Sequence, residues 1–128
     1  MLFPLPHMGG TWRLVLSAFL GVTGLSILAL AVGAFVRAKT TVNPLDPGRA
    51  EELVTSGLFR FSRNPMYLGM LMVLTAGVLW LGAWSAMLAP IVFIWVMTEI
   101  QIKIEERSLQ QKFGDQFSAY RVRTRRWL

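Results

Sequence analysis

Two groups of polar residues stand beside apolar stretches of this chain, and both could do chemistry. The first is GLFRFSRNPMYLG over residues 57–69, where Arg63 and Asn64 lead directly into an apolar segment. Pro65 suits the first position of a helix and Asn64 the capping position before it. The N–H groups at such a helix start favour an anionic group such as a carboxylate. The spacing equally allows a capped helix whose Arg63 lies on lipid phosphate.

The second group is the pair Glu105-Glu106, which follows a long apolar stretch. Neighbours on a helix point about 100° apart, so these carboxylates cannot share one partner. A carboxylate near a membrane surface is costly unless it is paired. Arg60, Arg63 or the arginines of the tail could pair it in a structural salt bridge, and so could a cationic ligand. The tail segment over residues 113–121 is either a surface helix on anionic lipid or a lid over a site.

The composition indicates a membrane protein. The chain has 128 residues, of which 54% are hydrophobic and 16% charged, whereas soluble domains average about 45–50% apolar and about 25% charged. The absence of cysteine and the single histidine, His7, exclude a zinc–thiolate site and a thiol nucleophile and argue against any metal site. Because the net charge is +6, the chain suits anionic lipid headgroups, and we expect no nucleic-acid partner.

The apolar stretches predict an all-α fold with three transmembrane helices. Residues 14–36 carry no charge and would span about 34 Å as a helix, enough for a bilayer core of about 30 Å. Residues 66–97 are also uncharged but too long for one crossing, and Gly82 marks the break. Pro90 is expected to kink the third helix and Gly114 to end its extension. The prediction is a single domain over residues 1–128, with transmembrane helices at about 14–36, 66–81 and 83–104, a loop over 37–65 and a helical tail over 105–128.

The positions of lysine and arginine predict the topology. Residues 37–65 and the segment after Met97 together carry 12 of the 13 positive residues. Because cytoplasmic segments are enriched in lysine and arginine, the loop and the tail are predicted to be cytoplasmic and the N-terminus to face out.

At these residues the sequence resembles a family of integral-membrane methyltransferases, the isoprenylcysteine carboxyl methyltransferase and phospholipid methyltransferase group. The resemblance covers about residues 37–128 and rests on the order and spacing of several motifs. They are TTVNP at 40–44, LVTSG at 53–57, SRNPMYLG at 62–69, the pair Glu105-Glu106, and Phe113-Gly114 followed by Tyr120. Many members carry another helix ahead of the segment that matches residues 14–36. We therefore expect a short bacterial-type member in the inner membrane, or one whose start lies downstream of the usual one.

The resemblance implies S-adenosylmethionine as the methyl donor and S-adenosylhomocysteine as the product. The acceptor would be a membrane lipid or a lipid-modified molecule, methylated by direct in-line transfer, and a homodimer could supply a missing helix. The sequence identifies no catalytic residue and no general base. The implied cofactor-binding residues are Leu53, Val54, Phe59, Asn64, Pro65, Met66, Tyr67 and Glu105, and the implied substrate-binding or supporting residues are Arg63, Gln101 and Glu106.

Three positions depart from the family pattern. Asn64 stands where histidine is common, Phe59 where tyrosine is common, and Gln101 where prenylcysteine enzymes have arginine. The last departure argues against carboxyl methylation of a prenylated protein. Two alternatives therefore stay open beside the leading prediction. They are N-methylation of a phospholipid amine and a non-catalytic membrane scaffold that retains the fold.

Overall fold

The computed structural model describes residues 8–37 and 57–128, which form helices with no β-strand among them. The all-α prediction is therefore confirmed for this part of the chain. In chain order the elements are α1 (Trp12–Arg37), a 3₁₀ turn (Gly57–Arg60), α2 (Pro65–Leu81), a second 3₁₀ turn (Trp84–Met87), α3 (Leu88–Val96), a π-helical segment (Met97–Ile102), α4 (Lys103–Phe113) and α5 (Asp115–Arg123).

The helices α1 and α2 pack closely in opposite directions. The Ser17 hydroxyl donates to the Ala76 carbonyl at 2.7 Å, and seven residues further along α1, Gly24 lies against Gly69. A Cβ atom on Gly24 would lie 2.8 Å from the Gly69 carbonyl oxygen, so the crossing has no room for a side chain. Such small residues allow helix backbones to approach closely in membranes.

Gly82 ends α2 with a φ of 76° and donates its N–H to the Val78 carbonyl. The predicted break at this residue is confirmed. The nearby Arg13 guanidinium donates to the carbonyls of Leu79 and Trp80 at 3.0 and 2.7 Å. These bonds satisfy carbonyls that the last turn of a helix leaves without partners, so the chain itself closes this end of α2.

The third apolar stretch is less regular than the single helix predicted over residues 83–104. It begins with a 3₁₀ turn, and Pro90 is the third residue of α3. Pro90 therefore lies near the start of the helix, where a missing N–H disturbs little. The irregularity lies further on, in the π-helical segment Met97–Ile102, a wide turn that is frequent at functional sites. Gly114, with a φ of 53°, separates α4 from α5 and confirms the predicted end of the extension.

Two helical stretches, Trp12–Ala34 and Trp84–Phe113, are long and apolar enough to cross a membrane, and Pro65–Leu81 is a shorter apolar helix. At about 1.5 Å per residue, the 17 residues of α2 reach about 26 Å, slightly less than a hydrocarbon core of about 30 Å. The fold thus has two to three helices that could span a membrane. Their outer faces are apolar and exposed, as at Val22 and Trp95, which suits contact with lipid.

A small core lies at the end of the helices opposite Gly82. It joins Ala31 of α1 to Phe59, and both to Phe117 and Tyr120 of α5. The Tyr120 hydroxyl donates to the Phe59 carbonyl at 2.7 Å, and its burial raises the Tyr120 pKa. The helix α5 is therefore packed on the protein and fixes the segment that precedes α2.

Candidate cofactor site

The N-terminus of α2 has no side-chain cap. Pro65 is the first helical residue, as predicted, and Asn64 occupies the capping position. The expectation that the Asn64 side chain would cap the helix is wrong, because Asn64 makes no side-chain capping bond; its Nδ2 donates to the Arg126 carbonyl at 2.8 Å. This bond directs the short polar side chain toward the tail. In the described part of the chain, no side chain therefore accepts a hydrogen bond from the N–H groups of the first turn.

Glu105 lies opposite the first turn of α2 and is held by two neutral groups. The Tyr67 hydroxyl donates to Glu105 Oε1, and Gln101 Nε2 donates to the same oxygen at 2.9 Å. The predicted proximity of Gln101 and Glu105 on one face is confirmed. Among residues 8–37 and 57–128, no lysine or arginine forms a salt bridge with Glu105. This half-buried carboxylate is fixed in position and keeps an oxygen for a cationic or hydroxyl group.

Glu106 has the opposite surroundings. Its carboxylate accepts from Arg126 Nε and Nη2 at 3.0 and 2.8 Å, and Arg63 Nη1 lies 3.1 Å from Glu106 Oε2. Only 11% of the Glu106 side chain is exposed, so these charges form a buried ion cluster. Within it, Arg126 makes a bidentate pair with the Glu106 carboxylate. The hydrogen bond to Glu106 raises the pKa of Arg126, whereas burial lowers the pKa of Arg63. The salt-bridge interpretation thus holds for Glu106 and not for Glu105.

Residues 124–127, which we term the C-terminal strap, tie the segment before α2 to the third apolar stretch. The Arg63 N–H donates to the Arg125 carbonyl at 2.8 Å, and Thr124 Oγ1 donates to the Arg60 carbonyl at 3.4 Å. The indole N–H of Trp127 donates to Thr98 Oγ1 at 3.0 Å, in the π-helical segment. The strap thereby fixes the start of α2 relative to α4.

The other implied site residues are placed as follows. Phe59 is buried in the core cluster, Met66 packs against that cluster and Pro65 is fully buried. Leu53 and Val54 lie outside the described residues, as do TTVNP at 40–44 and most of the predicted loop over 37–65. The structure brings together Tyr67, Gln101 and Glu105 as one group, and Arg63, Glu106 and Arg126 as another.

Sequence reasoning did not assign Arg126 to Glu106. The signal was present, because a carboxylate near the membrane surface needs a partner and the tail is rich in arginine. The order of the tail could not distinguish Arg126 from Arg125, since the choice depends on how the strap turns. Nothing in the sequence indicated the hydrogen bond between Thr98 and Trp127.

This arrangement can be compared with known proteins. The family model described as phospholipid methyltransferase matches residues 12–116. The chain belongs to the phospholipid methyltransferase family. The predicted membership is thereby confirmed, and methyl transfer to a lipid-related acceptor is the activity that this membership supports.

Among curated proteins, one from Haemophilus influenzae is similar to this chain over 63 residues at 48% identity. The matched residues are 49% of this chain and 100% of that protein, which is described as an uncharacterized protein. No solved structure matches the chain.

Proposed function

We propose that this protein is an S-adenosylmethionine-dependent methyltransferase that acts on a lipophilic acceptor at the cytoplasmic face of the membrane. The observation that carries the proposal is Glu105. It is held by Tyr67 and Gln101, it has no cationic partner in the described residues, and it lies opposite the uncapped start of α2.

The described residues fit a ligand that carries both an amine and a carboxylate. Glu105 would bind the ammonium group or the ribose hydroxyls. The N–H groups at the start of α2, beside Asn64, would bind the carboxylate. Arg63 Nε is buried without a hydrogen-bond acceptor among the described residues. A buried donor of this kind is uncommon in native proteins and suits a site that receives an anionic group.

When bound, S-adenosylmethionine supplies a methyl group already activated on a sulfonium. The protein then has to position the methyl donor and the acceptor and to exclude water from them. These tasks require no metal and no covalent intermediate. Tyr67 and Gln101 both donate to Glu105 and fix its charge on one side. We place Glu105 at the amino or ribose end, because a fixed carboxylate beside the sulfonium would stabilise the ground state more than the transition state.

A phospholipid is the acceptor class that the family description favours. The position of Gln101 agrees with this. Its neutral amide is directed to Glu105 and brings no charge for an acceptor carboxylate. The acceptor would enter laterally from the bilayer, with its reactive headgroup at the level where α2 begins and α4 leaves the membrane.

The positive residues support the proposed cytoplasmic orientation. The segment before α2 and the strap contact each other, so they lie at the same end of the helices, and Arg13 lies at the other. Among residues 8–37 and 57–128, every lysine and arginine except Arg13 belongs to the first end, so we assign that end to the cytoplasm of a bacterial inner membrane.

Calorimetric titration with S-adenosylmethionine and S-adenosylhomocysteine tests the proposal. The full chain in detergent is compared with Glu105→Gln and with Glu99→Gln, a matched control whose carboxylate is exposed and pairs with Lys103. We expect saturable binding to wild type and to Glu99→Gln, and binding to Glu105→Gln that is at least about tenfold weaker, as for the loss of a charged hydrogen bond. Folded, monodisperse wild type that binds neither compound would overturn the proposal in favour of a scaffold that retains the fold.

A further inference from the structure

A polar cleft opens on the side of α4 that carries Glu106. Its volume is about 400 Å³, and it lies between α4, α5 and the strap. Three of its residues follow Lys103 by three, four and seven positions, which places all four in one stripe along α4. The lining residues are Lys103, Glu106, Arg107, Gln110, Arg121 and Arg126.

The cleft is strongly positive. Four lining residues are cations and one is a carboxylate, which gives a net charge of +3. The carboxylate, Glu106, is already engaged by Arg126 and Arg63. Arg107 and Arg121 form no salt bridge with a carboxylate in the described residues. Burial lowers the pKa of Arg63, and repulsion from the nearby Arg126 and Arg121 adds to this lowering. Uncompensated guanidinium groups gathered in this way favour an anion between them.

The residues around the cleft have the composition expected at a membrane interface. On the neighbouring face of the same helical stretch, Ile100 and Ile104 expose 58% and 51% of their surfaces, so apolar side chains reach the level of Lys103. Above this level the stretch is uncharged as far as Trp84 apart from Glu99, and Trp127 places its indole beside Thr98, as is common at headgroup depth. Phosphate groups of phospholipids lie at this level, and basic pockets beside membrane helices bind lipid headgroups.

We propose that this cleft binds a phosphate group, and that its source is the headgroup of an anionic membrane phospholipid. Arg107 and Arg121 would hold the phosphate oxygens from two helices, because a guanidinium presents paired N–H donors to such oxygens. Arg107 and Arg121 take no part in the candidate cofactor site, and Glu105 and Glu106 project from α4 about 100° apart, so the phosphate would not occupy the position proposed for the cofactor. It does not depend on methyl transfer.

Native mass spectrometry of the full chain in detergent tests this site, with dioleoyl-phosphatidylglycerol and dioleoyl-phosphatidylcholine as probes. The cleft variant is the double substitution Arg107→Gln and Arg121→Gln. The matched control is Arg123→Gln and Arg125→Gln, which removes the same charge from exposed positions of the tail outside the cleft. We expect the wild type and the control to retain phosphatidylglycerol, and the cleft variant to lose at least about fivefold in the bound fraction, as for a lost charged contact.

Circular dichroism and size exclusion verify that both variants are folded, which is expected because their arginines are exposed. Equal losses in both variants would show a diffuse charge effect and overturn the proposal, as would equal binding of the two lipids by the wild type. A third arm adds glycerol 3-phosphate as competitor. Displacement of the lipid at equimolar concentration would show that the cleft takes a soluble phosphoester, and would overturn the assignment to lipid.

Discussion

Two adjacent carboxylates on α4, Glu105 and Glu106, have opposite kinds of hydrogen-bond partner. Glu105 receives hydrogen bonds from the neutral groups of Tyr67 and Gln101. Glu106 is neutralised by Arg63 and Arg126 within hydrogen-bonding distance. Both carboxylates lie on the same turn and at nearly the same distance from the membrane end, so depth does not explain the difference.

Under the proposed function, this difference separates a structural group, Glu106, from a ligand-binding group, Glu105. A buried carboxylate between two guanidiniums has its charge satisfied by the fold, and it ties the strap and the segment before α2 to α4. A carboxylate held only by neutral donors keeps its negative charge for another partner. In our proposal, the cofactor therefore binds on the Glu105 side, while the Glu106 side holds the start of α2 and α4 in position.

The largest effect is expected from Glu106→Gln. This substitution leaves Arg63 and Arg126 without their carboxylate, and breaking a buried pair costs about 3–5 kcal/mol of folding free energy. Unfolding in detergent, followed by the helical circular dichroism signal during titration with sodium dodecyl sulfate, measures the loss. The control Glu99→Gln removes an exposed pair with Lys103 and should change stability by less than about 1 kcal/mol. Equal, small losses in both variants would mean that the Glu106 cluster is not structural.

Glu105→Gln should reverse this pattern. Stability should change little, because Tyr67 and Gln101 can still bond to an amide and no cation is left unpaired. Affinity for S-adenosylmethionine should fall about tenfold or more. The comparison predicts that Glu106→Gln mainly lowers stability, whereas Glu105→Gln mainly lowers the affinity for S-adenosylmethionine. If Glu105→Gln destabilised the protein as much as Glu106→Gln does, the two sides of α4 would not differ in kind.

The regular elements could be predicted because they depend on local sequence. The uncharged run at 14–36 corresponds to α1, Trp12–Arg37, and Gly82 and Gly114 end helices where a positive φ is needed. The ends of α1 and α2 followed from hydropathy, proline and glycine alone. The π-helical segment Met97–Ile102 was not predicted, since its residues differ little in type from those of an ordinary amphipathic helix.

The site could be predicted as a set of residues, but its division into two groups could not. That division depends on contacts between residues about 20 to 60 positions apart, such as Arg126 with Glu106 and Asn64 with the Arg126 carbonyl. Periodicity placed Glu105 and Glu106 on different faces without showing which would meet an arginine. The side chain of Asn64 was expected to cap α2, and its bond to the Arg126 carbonyl could not be predicted because the strap is distant in sequence.

Tyr67→Phe sharpens the comparison on the Glu105 side. The variant removes the hydroxyl that donates to Glu105 and keeps the ring. One lost hydrogen bond to a charged acceptor should weaken the binding of S-adenosylmethionine about threefold to tenfold, less than Glu105→Gln does. Calorimetric titration under the same conditions measures this. A loss larger than that of Glu105→Gln would mean that the Tyr67 hydroxyl acts on the ligand and not through Glu105.

Trp127→Phe should have the smallest effect, and it tests how the strap contributes to the Glu106 side. The substitution removes the hydrogen bond to Thr98 but keeps an aromatic ring beside Phe93. Stability should fall by about 0.5–1.5 kcal/mol, as for one hydrogen bond, with the affinity for S-adenosylmethionine changed less than about twofold. Combining it with Thr98→Val gives a double-mutant cycle in which the second change should add little. Additive losses would show that the two side chains act separately. The strap would then be held by Arg126 and its backbone bonds, and the Glu106 cluster alone would fix the start of α2 relative to α4.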